Sequence, residues 1–326
     1  MRSFSLGELK NEIHYQMIKA VYHKNLRSEK EYWSRQKKNI NMTGKDYYVI
    51  RRKDKAGLFS FYITTVAQIK RALDRGLIPV VDLMNYRNVY MGLADIGQYN
   101  PWEILFSQPS NEKLTDIEKT AKSLYYCDIE VPEDRPNDEM DFLNSLNKEN
   151  NIWREIVREY VKVDRKILED ADEIFQSISN NGRRRILGVL CRGTDYISLK
   201  PKNHPVQPSL EELFETVDAV KKKYDCERIF LATEDSIYEN AFKQKYGDLL
   251  CTIQEEKILY TGGYLSDIIR LQTKQERMQT AMNYLKKILV LSKCQCFVAG
   301  RTSGTVGVML QDHQFDCTFF FDHGRY

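Results

Sequence analysis

Apolar residues along the chain follow two alternating rhythms: short unbroken runs, and longer stretches in which they recur at every third or fourth position. The runs predict buried strands and the recurrences predict amphipathic helices. Tyr47 to Ile50 is the first such run. From Gly57 onward, Phe59, Tyr62, Ile63, Val66, Ile69 and Leu73 share one helical face until Gly76 stops it, and the buried run Leu77 to Val81 follows and ends at Asp82. A strand, a helix and a strand so closely joined form the crossover unit of a parallel sheet. A loop rich in Asn, Tyr and Gly comes next (Asn85 to Asn100), then a short segment at Trp102 to Phe106 and a strand at Ser123 to Cys127. Charged residues dominate Asp128 to Asn150. One long helix is expected over Ile152 to Ile178, closed by Asn180, Asn181 and Gly182.

The second half is more regular. Strands are expected at Ile186 to Leu190, Arg228 to Ala232, Leu249 to Thr252, Cys296 to Ala299 and Cys317 to Phe321. Helices are expected at Ser209 to Tyr224, Ser236 to Tyr246, Glu276 to Leu291 and Thr305 to Gln311, with Gln254 to Leu271 as a loop. Strand and helix alternate throughout, which predicts two doubly wound α/β domains. The length of 326 residues fits that count, with a hinge near Asn180 to Gly182 dividing residues 1–180 from 181–326.

Charge narrows the partners. Lys and Arg total 49 against 46 Asp and Glu, a balance of +3, too even for a nucleic-acid binder. Between Arg2 and Lys38, nine basic residues face four Glu, and Leu6, Leu9, Ile13, Met17 and Val21 recur at helical spacing. Such a stripe packs on its own domain or lies on an anionic membrane surface. Seven scattered cysteines read as reduced thiols. Cys294 and Cys296 are the one close pair, with no further Cys or His near them to complete a zinc set. No apolar run reaches membrane-spanning length and no signal-peptide pattern opens the chain, so a soluble, cytoplasmic protein is expected.

Three strand ends in the second half carry polar groups that a doubly wound fold would gather on one rim. Arg192-Gly193-Thr194-Asp195 follows the first strand: a guanidinium there suits a phosphate, and a salt bridge from Arg192 to Asp195 is the plainer alternative. Thr233-Glu234-Asp235 follows the second strand, where a carboxylate could accept from a ribose or base, orient Arg192, or cap the next helix. Gly300-Arg301-Thr302-Ser303-Gly304-Thr305 is a small-residue turn whose N–H groups and hydroxyls would cradle an anion. An arginine facing a cradle suggests a diphosphate. Neither standard nucleotide loop is present: no G-x-x-x-x-G-K-[ST] occurs, and Gly300, Gly304 and Gly307 miss the G-x-G-x-x-G spacing. Asp170-Ala171-Asp172 lies inside an amphipathic helix and reads as a solvated face, so no metal site is expected.

These residues carry a resemblance. A strand ending in R-x-T-D, a later one ending in A-T-[DE]-D, and a last strand-turn-helix with adjacent Thr and Ser resemble the donor half of the fucosyltransferase superfamily, over about Ile186 to Phe321. GLFS in a helix, then IPVVDLMNY and NPWEILF, resemble uncharacterised bacterial proteins of capsule and exopolysaccharide loci. The resemblance implies a GT-B glycosyltransferase, two Rossmann-like domains facing across a cleft, acting with inversion and without metal or further cofactor. The donor would be a nucleoside diphosphate sugar, GDP-fucose first. The acceptor would be a glycan or lipid-linked saccharide bound by the first half. It also implies that Arg192 binds the β-phosphate, that Thr194 and Asp195 close the motif, and that Ser303 stands at the phosphate-binding serine.

The chain departs from the pattern where the base is read. Leu190 replaces the motif's histidine and Gly193 its second arginine, while Lys286 and Lys287 occupy the neighbourhood of the aspartate that accepts from guanine. A UDP-sugar therefore stays open. Asp195, His204 in the loop KPKNHPVQP, and Asp82 are the candidates for activating the acceptor hydroxyl. An NAD-binding oxidoreductase using the Gly300 to Gly307 turn, and an inactive sugar-binding relative, are the other classes.

Overall fold

A computed structural model of the chain describes residues 44–52, 56–127, 132–146, 151–255, 260 and 262–326. The basic amphipathic stripe of Arg2 to Lys38 lies outside the described residues. The chain divides into two compact units, one of residues 1–135, 156–164 and 269–279, the other of 136–155, 165–268 and 280–326. Each unit is built on a parallel sheet.

The first unit opens with strand β1 (Asp46–Ile50), helix α1 (Leu58–Asp74) and strand β2 (Ile78–Val81). The short helices α2 (Pro101–Leu105) and α3 (Leu114–Thr120) lead to β3 (Ser123–Tyr126). Strand order is β2-β1-β3, so β1 is central. α1 is buried on most of its circumference, from Leu58 and Phe59 to Ala72, as expected of a crossover helix rich in aromatic and β-branched residues. α2 starts where Asn100 accepts from the Trp102 N–H with Pro101 at the first helical position. Trp102 then stacks on Phe106 at 4.4 Å.

In the region where a single helix is expected, two form. α4 (Met140–Ser145) precedes α5 (Ile152–Tyr160), and α6 (Arg165–Ile178) follows after a break. The break has a packing cause: Val163 bridges Phe106, Ser107 donates to the Lys162 carbonyl at 2.8 Å, and Asp164 donates to the Leu105 carbonyl at 2.9 Å. The apolar periodicity runs on through the break, so the pattern alone does not reveal it. Asp170 and Asp172 of α6 pair with Lys286 at 3.5 Å and Lys293 at 2.6 Å. Both carboxylates stay exposed, the solvated face the pattern predicts, with lysines paired along it.

The second unit continues with β4 (Ile186–Cys191), α7 (Asp195–Leu199), α8 (Leu210–Lys223), β5 (Arg228–Thr233), α9 (Ser236–Tyr246) and the two-residue β6 (Leu250–Cys251). Helix α10 (Leu265–Leu271) lies inside the expected loop, followed by α11 (Lys274–Leu291), residues 269–279 of the two being counted with the first unit, and then by β7 (Cys296–Gly300), α12 (Ser303–Met309) and β8 (Cys317–Phe321). The order β6-β5-β4-β7-β8 is all parallel and reverses between β4 and β7. β4 is buried at every position; Leu187 and Val189 pack with Leu213, Val217, Leu231 and Phe242, each worth about 1.5–3 kcal/mol of burial. Ser209 starts α8 with a capping box closed by Glu212.

Candidate functional site

In an open parallel sheet, the carboxyl edge at the point of reversal is where ligands collect. In the second unit that point lies between β4 and β7. Leu190 pairs with Ala299, so the turns that start at Arg192 and Arg301 leave adjacent strand ends.

The Arg192 turn is a charge-balanced cluster. The Arg192 guanidinium donates to Asp195 Oδ1 at 2.7 Å, lies 3.1 Å from Glu234 Oε1, and sits over the Tyr196 ring at 5.0 Å. Burial alone would depress its pKa, but Glu234 and Asp195 more than offset that, and it is raised. Its side chain keeps 23% of its surface exposed, enough for a ligand oxygen to reach.

The loop beneath it is held by the next strand end. Glu234 Oε1 accepts from the Gly193 N–H at 3.0 Å and the Thr194 hydroxyl at 3.1 Å, and Asp235 Oδ2 accepts from the Thr194 N–H at 2.9 Å. Thr194 has φ 46°, a conformation costly for a β-branched residue, and these bonds hold it there. Asp235 also caps α9 by accepting from the Ile237 N–H at 2.8 Å. Glu234 and Asp235 thus orient Arg192 and cap the helix at once. Gly193 is required by the protein itself: a Cβ there would lie 2.2 Å from Asp235 Oδ2, which leaves no room for a second arginine.

The third turn differs from the expected cradle. Arg301 is only 4% exposed and faces protein: its Nε donates to the Asp138 carbonyl at 2.7 Å, and its two other nitrogens bind Glu139 and Asp322. It ties the chain together and is not aimed at a ligand. Thr302 accepts from the Thr305 N–H at 3.2 Å, and the Thr305 hydroxyl donates to the Gly300 carbonyl at 2.5 Å. These hydroxyls close the turn. Gly304 lets the Tyr284 hydroxyl approach, since a Cβ there would lie 2.3 Å from it, with Leu190 Cδ2 3.3 Å away. Ser303 is half-buried at the start of α12.

His204 stands beside the Arg192 cluster, its ring edge-on to Tyr196 at 4.9 Å, with Nδ1 buried and without a hydrogen-bond partner. Burial lowers its pKa, against the raising effect of Asp195 and Asp138, so the ring is neutral at pH 7. Its loop is pinned by the chain end: the Tyr326 N–H donates to the His204 carbonyl at 3.1 Å and the Val206 N–H to the Gly324 carbonyl at 3.0 Å.

Asp195 is buried, and besides Arg192 it accepts from the Leu265 N–H at 3.1 Å. Asp82 belongs to the first unit and is fully engaged there. It accepts from Arg51 Nε at 2.7 Å, from the Met84 N–H at 2.9 Å and from the Asn85 N–H at 3.0 Å, and is 0% exposed. Its lone pairs are spent on a turn and a buried ion pair, which leaves none to accept a substrate proton. Tyr196 under Arg192 and Tyr284 beside Gly304 also lie at these turns, and neither is among the residues the sequence singles out. Tyr196 carries a signal, one turn after Arg192 and next to Asp195; Tyr284 lies on a distant helix and carries none.

Among the described residues no group of three or more His, Cys, Asp or Glu is placed to hold a metal ion. Among them, too, no helix is long and apolar enough to cross a membrane.

No model of a known protein family matches the chain, and no curated protein matches it in sequence. Among solved structures it is similar to the fucosyltransferase NodZ from Bradyrhizobium, at 14% identity over 81% of this chain and 92% of that one, with a TM-score of 0.48. It is similar to NodZ alpha-1,6-fucosyltransferase soaked with GDP-fucose, at 14% identity over 82% and 93%, with a TM-score of 0.48. It is also similar to POFUT1 in complex with GDP, at 11% identity over 86% and 99%, with a TM-score of 0.46.

Proposed function

We propose that the chain is a glycosyltransferase whose second unit binds a nucleoside diphosphate sugar and passes the sugar to a glycan or lipid-linked acceptor. The observation that carries this reading is Arg192: a partly exposed guanidinium at the reversal point of a parallel sheet, held by Asp195 and Glu234 on a strained loop. A cation fixed in advance at that edge is suited to the charge that grows on a departing diphosphate. The R-x-T-D motif makes GDP-fucose the first donor to try and a UDP-sugar the second. Lys287 gives no reason to expect a guanine reader, because its ammonium is bound to the Thr233 carbonyl and to Glu255.

His204 is the favoured base, being neutral and holding a buried ring nitrogen with no partner, whereas Asp195 and Asp82 are committed to other bonds. In an inverting transfer it would take the proton of the acceptor hydroxyl as that oxygen attacks the sugar carbon and the diphosphate leaves. Ser303 adds a hydroxyl near the leaving group; Arg301, Thr302, Gly304 and Thr305 shape the turn that bears it. The reaction is expected in the cytoplasm, within polysaccharide synthesis, and to need no metal. A thermal-unfolding panel tests the class: GDP or UDP should stabilise the chain and NAD should not. Stabilisation by NAD alone would make it a dinucleotide-binding protein instead.

A further inference from the structure

The carboxyl end of β1 holds a charge that no carboxylate among the described residues pairs with. Two arginines follow the strand. Arg51 is matched, with Nε bonded to Asp82 and its guanidinium over the Tyr126 ring at 4.7 Å. Arg52 is not. Its backbone N–H donates to the Tyr86 hydroxyl at 3.2 Å, its NH1 to the Ser60 carbonyl in the first turn of α1, and its buried Nε to nothing. No carboxylate among the described residues pairs with it. A largely buried guanidinium with one neutral acceptor is costly unless an anion completes it. Burial, and then the neighbouring Arg135 cation, pull Arg52 down to about 10.

The start of α1 is open beside it. Gly57 precedes the helix with φ −66°, a conformation any residue adopts, and a Cβ there would meet nothing within 4 Å. Neither backbone nor packing asks for glycine. Gly57 brings no side-chain cap and no acidic residue lies in the first turn, so the dipole of α1 adds positive potential next to Arg52. β1 is the central strand of its sheet, the position at which a parallel sheet presents a ligand.

We propose that the carboxyl edge of the first sheet binds an oxyanion, the phosphate or carboxylate of a ligand, on the Arg52 guanidinium with the start of α1 behind it. The planar fork suits either group. The site uses no residue of the second unit and does not rest on the donor reading.

Thermal unfolding of the full chain tests it, in sodium phosphate and in sodium glucuronate against sodium chloride at equal ionic strength. At ten times the dissociation constant, one or both should raise the wild-type Tm by roughly 2–4 °C. Arg52→Gln should lose the rise and Arg192→Ala should keep it. A response to phosphate alone marks a phosphorylated ligand, and one to glucuronate alone an acidic sugar. No rise over chloride, or a rise that survives in Arg52→Gln, overturns the proposal. A rise lost in Arg192→Ala but kept in Arg52→Gln overturns it while leaving the donor site standing. Should Arg52→Gln fail to fold, amide exchange on the wild type decides: the effective anion slows exchange at Leu58 to Ser60, and unchanged exchange there refutes the site.

Discussion

The two sheets treat the arginine at the end of their central strand in opposite ways. In the second unit Arg192 is matched by Asp195 and Glu234, and its loop is clamped by Asp235. In the first unit Arg51 is matched by Asp82, but Arg52 beside it pairs with no carboxylate among the described residues, and its Nε has no partner. The same topological position thus yields a pre-set cation in one unit and an unbalanced one in the other. A balanced cation is rigid and can turn to a ligand by trading one carboxylate contact for a phosphate. An unbalanced cation is completed only by the ligand.

Four changes break or sharpen that contrast. The largest effect belongs to His204 at the balanced edge. As the base, it should cost ~10²–10⁴-fold in kcat when replaced by Asn. Because burial lowers its pKa, wild-type activity should hold through neutral pH and fall only on acidification below the usual histidine range. A pH–rate profile of His204→Asn that keeps the same acid limb would assign the base elsewhere. Asp82→Ala comes next: it removes the carboxylate bonded to Arg51 at the first edge, at about 3–5 kcal/mol in denaturant unfolding. A loss below 1 kcal/mol would show that the pair is not what holds that edge.

Gly193→Ala should cost about 1–3 kcal/mol, because its methyl must displace Asp235. It should also weaken GDP or UDP binding, by shifting the loop that carries Arg192. Unchanged stability and affinity would mean that the clamp on Thr194 is not required. Ser209→Ala lies outside both edges and gives the baseline, removing a capping box for about 1 kcal/mol with nucleotide affinity unchanged.

Much of the fold was legible in the chain because buried parallel strands announce themselves as apolar runs. Ile186 to Leu190 and Arg228 to Ala232 appear as strands one residue longer than the pattern predicts. The break at Val161 to Asp164 was not legible, since it is made by contacts with Leu105 to Ser107. Helix α10 was hidden for a related reason: its first N–H is held by Asp195, seventy residues earlier in sequence. In the site, Arg192, Asp195 and Glu234 were readable as polar groups at strand ends. What those groups do to one another was not readable. Gly193 looked like room for a ligand and is room for Asp235; Arg301 looked like an anion binder and is consumed by Asp138, Glu139 and Asp322. Arg52 carried no motif, and it gains meaning only because no described carboxylate pairs with its guanidinium.

The central claim is that Arg192 grips the diphosphate of the donor. Calorimetric titration of GDP and UDP into the wild type and Arg192→Ala tests it most directly. Circular dichroism would verify that the variant is folded. Losing a hydrogen-bonded charge partner should weaken binding by roughly 30-fold or more, about 2 kcal/mol at the least, and the unpaired Asp195 and Glu234 would add repulsion. Equal affinity for wild type and variant would contradict the account and leave Arg192 as a salt bridge closing a loop.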